Sequence, residues 1–259
     1  MKKFLLNILA AGVVLYSMSA CQKSELRATE YDLPTTQTFV RFVFLSPGLP
    51  AVMIKVNDKK VNGNFTSGSG GIFPSNSNVA EYAAIPPNGA LRLSLPNTGT
   101  TNDSVVLFTG NMTTMKGIYY TTVLADSNST RSLLSFVDDP GPLPDSAFTR
   151  LRFINASGKS PGLTLIRIDS SSATLVTRDT LFRNVAFGNA TEFITIPNNP
   201  VNAFLRYRLV QTSTGALVGT SYSPPLVGSA SNRRAITLIS SGIWGTTFSP
   251  GLSFQIVNK

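Results

Sequence analysis

The fold is decided by two short stretches, Leu91-Arg92-Leu93-Ser94-Leu95 and Leu205-Arg206-Tyr207-Arg208-Leu209. In both, apolar and polar side chains alternate with the two-residue period of a β-strand that buries one face. Further short runs are rich in β-branched and aromatic residues, which favour strands, and are bounded by Pro, Gly or Asn. These runs are 38–45, 52–56, 119–124, 163–168 and 235–239. Since no window after residue 20 has the period of an amphipathic helix, the sequence predicts an all-β fold.

Both stretches belong to a longer internal repeat. The segment Arg41-Phe42-Val43-Phe44-Leu45-Ser46 recurs 111 residues later as Arg152-Phe153-Ile154-Asn155-Ala156-Ser157, and 78–86 recurs at the same offset as 189–197. Each repeat has room for about six to eight short strands, with a turn signal about every ten residues. This pattern predicts two tandem antiparallel β-sandwich domains, similar to immunoglobulin or transthyretin domains.

The composition also indicates where these domains begin and end. We expect a signal peptide at 1–20, a lipidated cysteine with a flexible tether at 21–37, and β-sandwich domains at 38–138 and 148–259. Between the two domains, 139–147 is polar and contains three prolines, which is typical of a stiff linker.

The N-terminus has the organisation of an export signal. Lys2 and Lys3 precede an apolar run at 4–16, and small or slim residues at 17–20 lead to Cys21. A cysteine at the expected cleavage position resembles the lipobox of bacterial lipoproteins. The resemblance implies that the chain is cut before Cys21 and that its sulfur receives a diacylglycerol. The alternative is an ordinary signal peptide followed by a free or buried cysteine.

The lipobox resemblance also bears on location. By the sorting rule of these lipoproteins, Gln22 in place of an aspartate implies the outer membrane, with the domains on either its periplasmic or its exposed face. The membrane is then contacted through the lipid anchor, since no other apolar stretch reaches the 18 residues of a spanning helix.

Composition excludes several classes of function. The chain has no histidine and one cysteine, so neither side chain is available as a catalytic base or nucleophile once Cys21 is lipidated. We therefore expect no enzyme activity, no cofactor and no metal site. The net charge is +9, but no run of Lys or Arg exceeds two residues, so a nucleic-acid partner is not expected either.

The repeated segments resemble the domain-of-unknown-function 4397 family of bacterial exported domains. Members open with Arg-Phe-(Val/Ile)-Asn-Ala-Ser-Pro, which 152–157 keeps well and 41–47 keeps loosely. They continue through a Tyr/Phe strand, a turn and an alternating strand, which 81–95 and 192–209 supply. The resemblance implies a sandwich-like fold in a cell-envelope lipoprotein, and it implies no activity.

Two kinds of candidate site residue remain. Phe73 and Trp244 lie among glycines and turn residues, where an exposed ring suits stacking on a sugar, or where both rings cap the open end of a sandwich. Ser104, Ser146 and Thr180 each follow an aspartate and precede an apolar residue, a triplet that resembles an O-glycosylation signal of one Gram-negative phylum.

Among the functions left, we expect a non-catalytic binding or adhesion module at the surface or in the periplasm, with a glycan or an envelope protein as partner. Two copies of a domain reinforce weak binding through effective concentration. The alternative is a structural or accessory subunit of a fimbria-like assembly, in which strand edges pair between chains.

The anchor is directly testable. Metabolic labelling with a clickable palmitate should tag the wild-type protein and leave Cys21→Ala untagged, because that thiol is the acceptor. Equal labelling of the two proteins would rule out the anchor.

Overall fold

In the computed structural model of the 259-residue chain, the fold is described for most residues from Thr36 to Ile256. The described residues are 36–62, 71–74, 81–96, 103–126, 130–142, 144–145, 147–170, 176–197, 206–222, 235–246 and 251–256. The predicted signal peptide, Cys21 and nearly all of the tether lie outside them.

The described residues contain strands and turns but no helix, which confirms the all-β prediction for this part of the chain. Within the same residues, no helix is long and apolar enough to cross a membrane. In the first half of the chain the strands are β1 (Thr38–Phe44), β2 (Met53–Val56), β3 (Lys59–Lys60), β4 (Gly71–Phe73), β5 (Ala83–Ile85), β6 (Ala90–Pro96), β7 (Asp103–Asn111), β8 (Tyr119–Asp126) and β9 (Arg131–Val137). In the second half they are β10 (Phe148–Asn155), β11 (Leu163–Ser170), β12 (Val176–Val185), β13 (Ile194–Pro197), β14 (Arg206–Gln211), β15 (Leu217–Tyr222), β16 (Ala235–Ser241) and β17 (Gly251–Ile256).

These strands form four sheets. Sheet I has the order β3-β2-β6-β7, and sheet II has the order β4-β1-β8-β9 with β5 also paired to β1. Sheet III has the order β13-β10-β16-β17, and sheet IV has the order β12-β11-β14-β15. Sheets I and II come from the first half of the chain, and sheets III and IV come from the second half.

One part of the fold prediction is wrong, because sheets II and III are not purely antiparallel. β1 pairs with β8 in parallel, and β10 pairs with β16 in parallel. In each half the chain leaves the first strand, passes through the other sheet and returns in the starting direction. Side-chain alternation is the same in both pairing modes, so the local sequence carries no signal for strand direction.

Each half has its own apolar core between its two sheets. Val40 and Phe42 of β1 pack with Ile54 of β2 and Leu93 of β6, which joins sheets I and II. In the second half, corresponding side chains join sheets III and IV: Leu151, Phe153, Leu165, Leu209 and Leu238. Two sheets packed face to face around one core are the arrangement of a β-sandwich.

A third apolar cluster joins the two halves. It combines Val43 of β1 and Val123 of β8 with Ile154 of β10 and Ile239 of β16, all buried. Sheets II and III therefore pack back to back through the faces that the two cores do not use. This is why all seven residues of β1 are buried, although an alternating strand buries only one face.

Polar side chains lie beside this third cluster, and they centre on Asp138. The side chains of Asp138 and Arg152 are 0% and 3% exposed, and they form an ion pair between Oδ1 and Nη2. The other carboxylate oxygen accepts hydrogen bonds from the hydroxyls of Thr121, at 2.7 Å, and Tyr82, at 2.9 Å. Arg152 Nε also donates to Thr237 Oγ1 at 2.9 Å. Every buried polar group named here thus has a partner, as buried charges require.

The two halves place the same kind of contact at equivalent positions. The Arg41 guanidinium lies 4.9 Å from the ring centre of Tyr82, and the Arg152 guanidinium lies 4.7 Å from the ring centre of Phe193. Arg41 Nε donates to the carbonyl of Glu81 at 3.1 Å. Burial lowers the pKa of Arg41, whereas the nearby Tyr82 and Asp138 act in the opposite direction. Burial also raises the pKa of Tyr82 above its ordinary value, and Asp138 raises it further.

The ion pair is expected to matter for stability. Asp138→Ala should lower the free energy of unfolding by about 3–5 kcal/mol, because it leaves the Arg152 charge buried without its partner. Asp58→Asn is the control, because it removes the charge from the Asp58–Arg92 pair, 2.8 Å apart with an Asp58 side chain that is 81% exposed, and asparagine keeps the positive φ of this turn position. The control should cost less than about 1 kcal/mol. Urea unfolding of the three proteins measures the difference, and equal losses would contradict the structural role of Asp138.

Tyr82 gives a pH-dependent test. Because the pKa of Tyr82 is raised in the folded protein, its neutral hydroxyl contributes stability that is complete below about pH 10 and declines as the pH rises beyond that value. Tyr82→Phe removes this contribution while keeping the ring, as Phe193 does at the equivalent position. The stability gap between wild type and variant, compared as urea midpoints, should therefore stay constant up to about pH 9 and narrow as the pH rises beyond about 10. Parallel curves would show that Tyr82 ionises equally in both states.

Candidate functional site

A polar cleft opens on the outer face of sheet I, at the turn between β2 and β3. Its volume is about 330 Å³, and it is lined by Asn57, Asp58, Ala90, Leu91, Arg92, Thr109, Gly110 and Asn111. The lining residues thus come from a hairpin turn and from two neighbouring strands, β6 and β7.

The turn that forms one wall of the cleft is rigid. Val56 pairs with Lys59, so Asn57 and Asp58 form a two-residue hairpin loop. Both have positive φ, 47° and 63°, as a type I′ turn requires, and Asn and Asp tolerate this conformation well. Asn57 N donates to Ala90 O at 2.9 Å, and Ala90 N donates to Asn57 Oδ1 at 2.8 Å. These two bonds fix the turn to the start of β6.

Charged and neutral polar groups converge in the cleft. Arg92 Nη2 lies 2.8 Å from Asp58 Oδ1, and the Arg92 side chain is one-third exposed. Thr109 is the register partner of Arg92 on β7, so its side chain shares that face of the sheet. A guanidinium, a carboxylate, a hydroxyl and amide groups together offer donors and acceptors for a small, hydroxyl-rich ligand.

The same residues do not resemble a catalytic arrangement. Asp58 is the one carboxylate in the lining, whereas glycoside hydrolysis uses a pair of carboxylates flanking the bond. Among the residues that the structure describes, no group of three or more Cys, Asp or Glu side chains is placed to hold a metal ion.

Neither of the two predicted aromatic residues lines the cleft. Phe73 ends β4, is half-buried, and lies 6.4 Å from the ring of Phe42 while packing against the first core. Trp244 follows β16, is half-buried against the second core, and donates its backbone N–H to Gly158 O at 2.9 Å. Part of each ring packs against an apolar core, so a role in stacking on a sugar stays a prediction.

The predicted modification sites fall in different places. Cys21 and Ser146 lie outside the described residues. Ser104 belongs to β7, and Thr180 is exposed on β12. Lipidation and O-glycosylation therefore stay predictions.

The sequence analysis missed the cleft residues. A signal was present, since Asn57-Asp58 between two short apolar and basic runs is a hairpin turn signal. The alternation of β6 also assigns Arg92 to a solvent face. Local patterns do not show that β2 pairs with β6. This pairing brings Asp58 and Arg92 together, although they are 34 positions apart in the sequence.

Comparison with known proteins supports the family resemblance. Residues 38–166 match the model of the family described as Domain of unknown function (DUF4397), and this segment runs from the start of β1 into β11. No curated protein matches the chain.

Proposed function

We propose that the chain is a non-catalytic lipoprotein of the outer membrane, built from two tandem copies of one β-sandwich, which binds a glycan in the Asp58–Arg92 cleft. The single observation that carries the binding role is this cleft, in which a hairpin turn bonded to β6 holds Asp58 beside Arg92. An oriented set of donors and acceptors that needs little reorganisation suits a ligand with several hydroxyl groups.

The tandem organisation is supported by strand pairing. In the first half, β8 pairs in parallel with the first strand, β1, and antiparallel with the last strand, β9. In the second half, β16 pairs in the same way with β10 and β17. Sheets I and IV also match each other, since each joins three corresponding strands in a row, β2-β6-β7 in sheet I and β11-β14-β15 in sheet IV. The anchor rests on the sequence around Cys21.

The alternative, a fimbria-like subunit, would need a strand edge that accepts another chain. β7 is the longest edge strand of the first half, and it exposes Val105 and Val106. However, its pairing with β6 is irregular at two points, and Arg131 Nη1 binds the carbonyl of Leu107 at 2.9 Å. Bulges and an edge carbonyl that is already bound both hinder strand addition, so we favour ligand binding.

The test is a glycan array on the lipid-free chain from residue 22 onward, run beside size-exclusion chromatography. Arg92→Gln and Asp58→Asn should each reduce binding of a positive glycan at least tenfold, because each removes a charged hydrogen-bonding group. Lys116→Gln is the matched control, since it removes one exposed charge that does not line the cleft, and it should leave binding unchanged.

The other outcomes separate the competing ideas. Loss of binding in Trp244→Ala but not in the cleft variants would move the site to the aromatic loop. If no glycan on the array is bound and size-exclusion chromatography shows concentration-dependent oligomers, the result would favour the structural subunit instead.

A further inference from the structure

The positive charge of this protein is concentrated in its second half. Residues 148–259 contain eleven Lys and Arg against three Asp and Glu, whereas 38–138 contain seven against five. Strong charge asymmetry between two halves of a chain suggests a surface that meets a negatively charged partner. Arg152 and Arg167 are buried and bind groups within the fold, so the remaining charges decide where that surface lies.

Three arginines lie on the outer face of sheet IV. On β14, Tyr207 and Leu209 point into the core, so Arg206 and Arg208, which alternate with them, occupy the outer face. On β12, Phe182 belongs to the core and the adjacent Arg183 is exposed. Between these strands, β11 contributes Thr164 and Ile166 to the same face, through register with Val210 and Arg208.

On the outer face of sheet I, one arginine has a carboxylate partner. There, Arg92 is paired with Asp58 at 2.8 Å. Arg206 is the repeat equivalent of Arg92, and the described outer positions of β11 and β14 include no Asp or Glu to neutralise it. The outer face of β14 therefore carries two arginines and no carboxylate.

The same face also carries apolar surface. Leu217 of β15 is 54% exposed and pairs with Val210 of β14, so both side chains lie beside the arginines. A broad sheet face that combines arginines with an exposed leucine matches the interface of a bilayer, where phosphates attract the charges and acyl chains accept the apolar side chain.

We propose that the outer face of sheet IV, defined by Arg183, Arg206, Arg208 and Leu217, docks on membrane surfaces that contain anionic lipid headgroups. Each arginine near such a surface contributes roughly a fivefold factor to binding, so three contribute about a hundredfold. A hundredfold contribution gives only weak membrane binding to a free protein, but it is sufficient to dock a protein that is already held near the membrane.

The predicted anchor would hold it there. The 17 residues from Cys21 to Gln37 reach at most about 60 Å when fully extended, which keeps the sheet close to the lipid that carries Cys21. This step rests on the proposed function, whereas the charge of the face does not.

The experiment uses the lipid-free chain from residue 22, so that docking is measured without the anchor. The protein is sedimented with vesicles of phosphatidylglycerol and phosphatidylcholine, and with vesicles of phosphatidylcholine alone, at low and at high salt. Wild type should bind the anionic vesicles at low salt and release from them at high salt. The triple variant Arg183→Gln, Arg206→Gln, Arg208→Gln should lower the partition coefficient about a hundredfold, and Leu217→Ser should lower it less.

The matched control is Lys59→Gln, Lys60→Gln, Lys116→Gln, which removes three exposed charges from the first half. It should retain most of the binding, and unfolding curves for all variants should overlay that of wild type. An equal loss of vesicle binding in the control would show diffuse attraction by net charge and would overturn the proposal. Wild-type protein that does not bind anionic vesicles would also overturn it. Binding of an acidic polysaccharide that depends on the three arginines, without vesicle binding, would also overturn it by identifying a glycan partner. None of these outcomes depends on palmitate labelling of Cys21 or on the cleft, so failure here leaves those proposals to their own tests.

Discussion

The carboxylate of Asp138 is the group on which the arrangement of the two halves depends. It stands at the end of the first half, binds Tyr82 and Thr121 of that half, and pairs with Arg152 of the second. The neighbouring apolar cluster supplies the free energy of packing, but apolar contact is non-directional. A buried ion pair with its lone pairs satisfied is directional, so we expect it to favour one alignment of sheets II and III among those that bury similar apolar area.

Back-to-back packing has a consequence for where ligands can bind. Sheets II and III are covered on both faces, by a core on one side and by the third cluster on the other. The broad faces left to solvent belong to sheets I and IV, and the described candidate surfaces lie there. The Asp58–Arg92 cleft lies on sheet I, and the arginine-rich face lies on sheet IV. The two outer faces thus carry different sets of side chains.

The divergence can be followed at single positions. Arg92 and Arg206 are repeat equivalents, yet Arg92 is partnered by a carboxylate in a rigid turn. Ser94 is buried, whereas Arg208 at the equivalent position is half-exposed. Conversely, the contact of an arginine with an aromatic ring is kept in both halves, as Arg41 with Tyr82 and Arg152 with Phe193. The arginine–aromatic contact is thus common to both halves, whereas one of the two outer positions compared, Ser94 and Arg208, differs in charge.

By itself, the sequence determined the strand content, because the two-residue alternation of 91–95 and 205–209 is a local property of the chain. It also carried the family resemblance that the match over 38–166 supports, since the Arg-Phe opening and the strands after it are contiguous. Only the tertiary structure decided the parallel pairing of β1 with β8, the burial of Arg152 against Asp138, and the meeting of Asp58 with Arg92. These features join residues on different strands, and alternation reports which face a side chain takes but not which strand lies beside it.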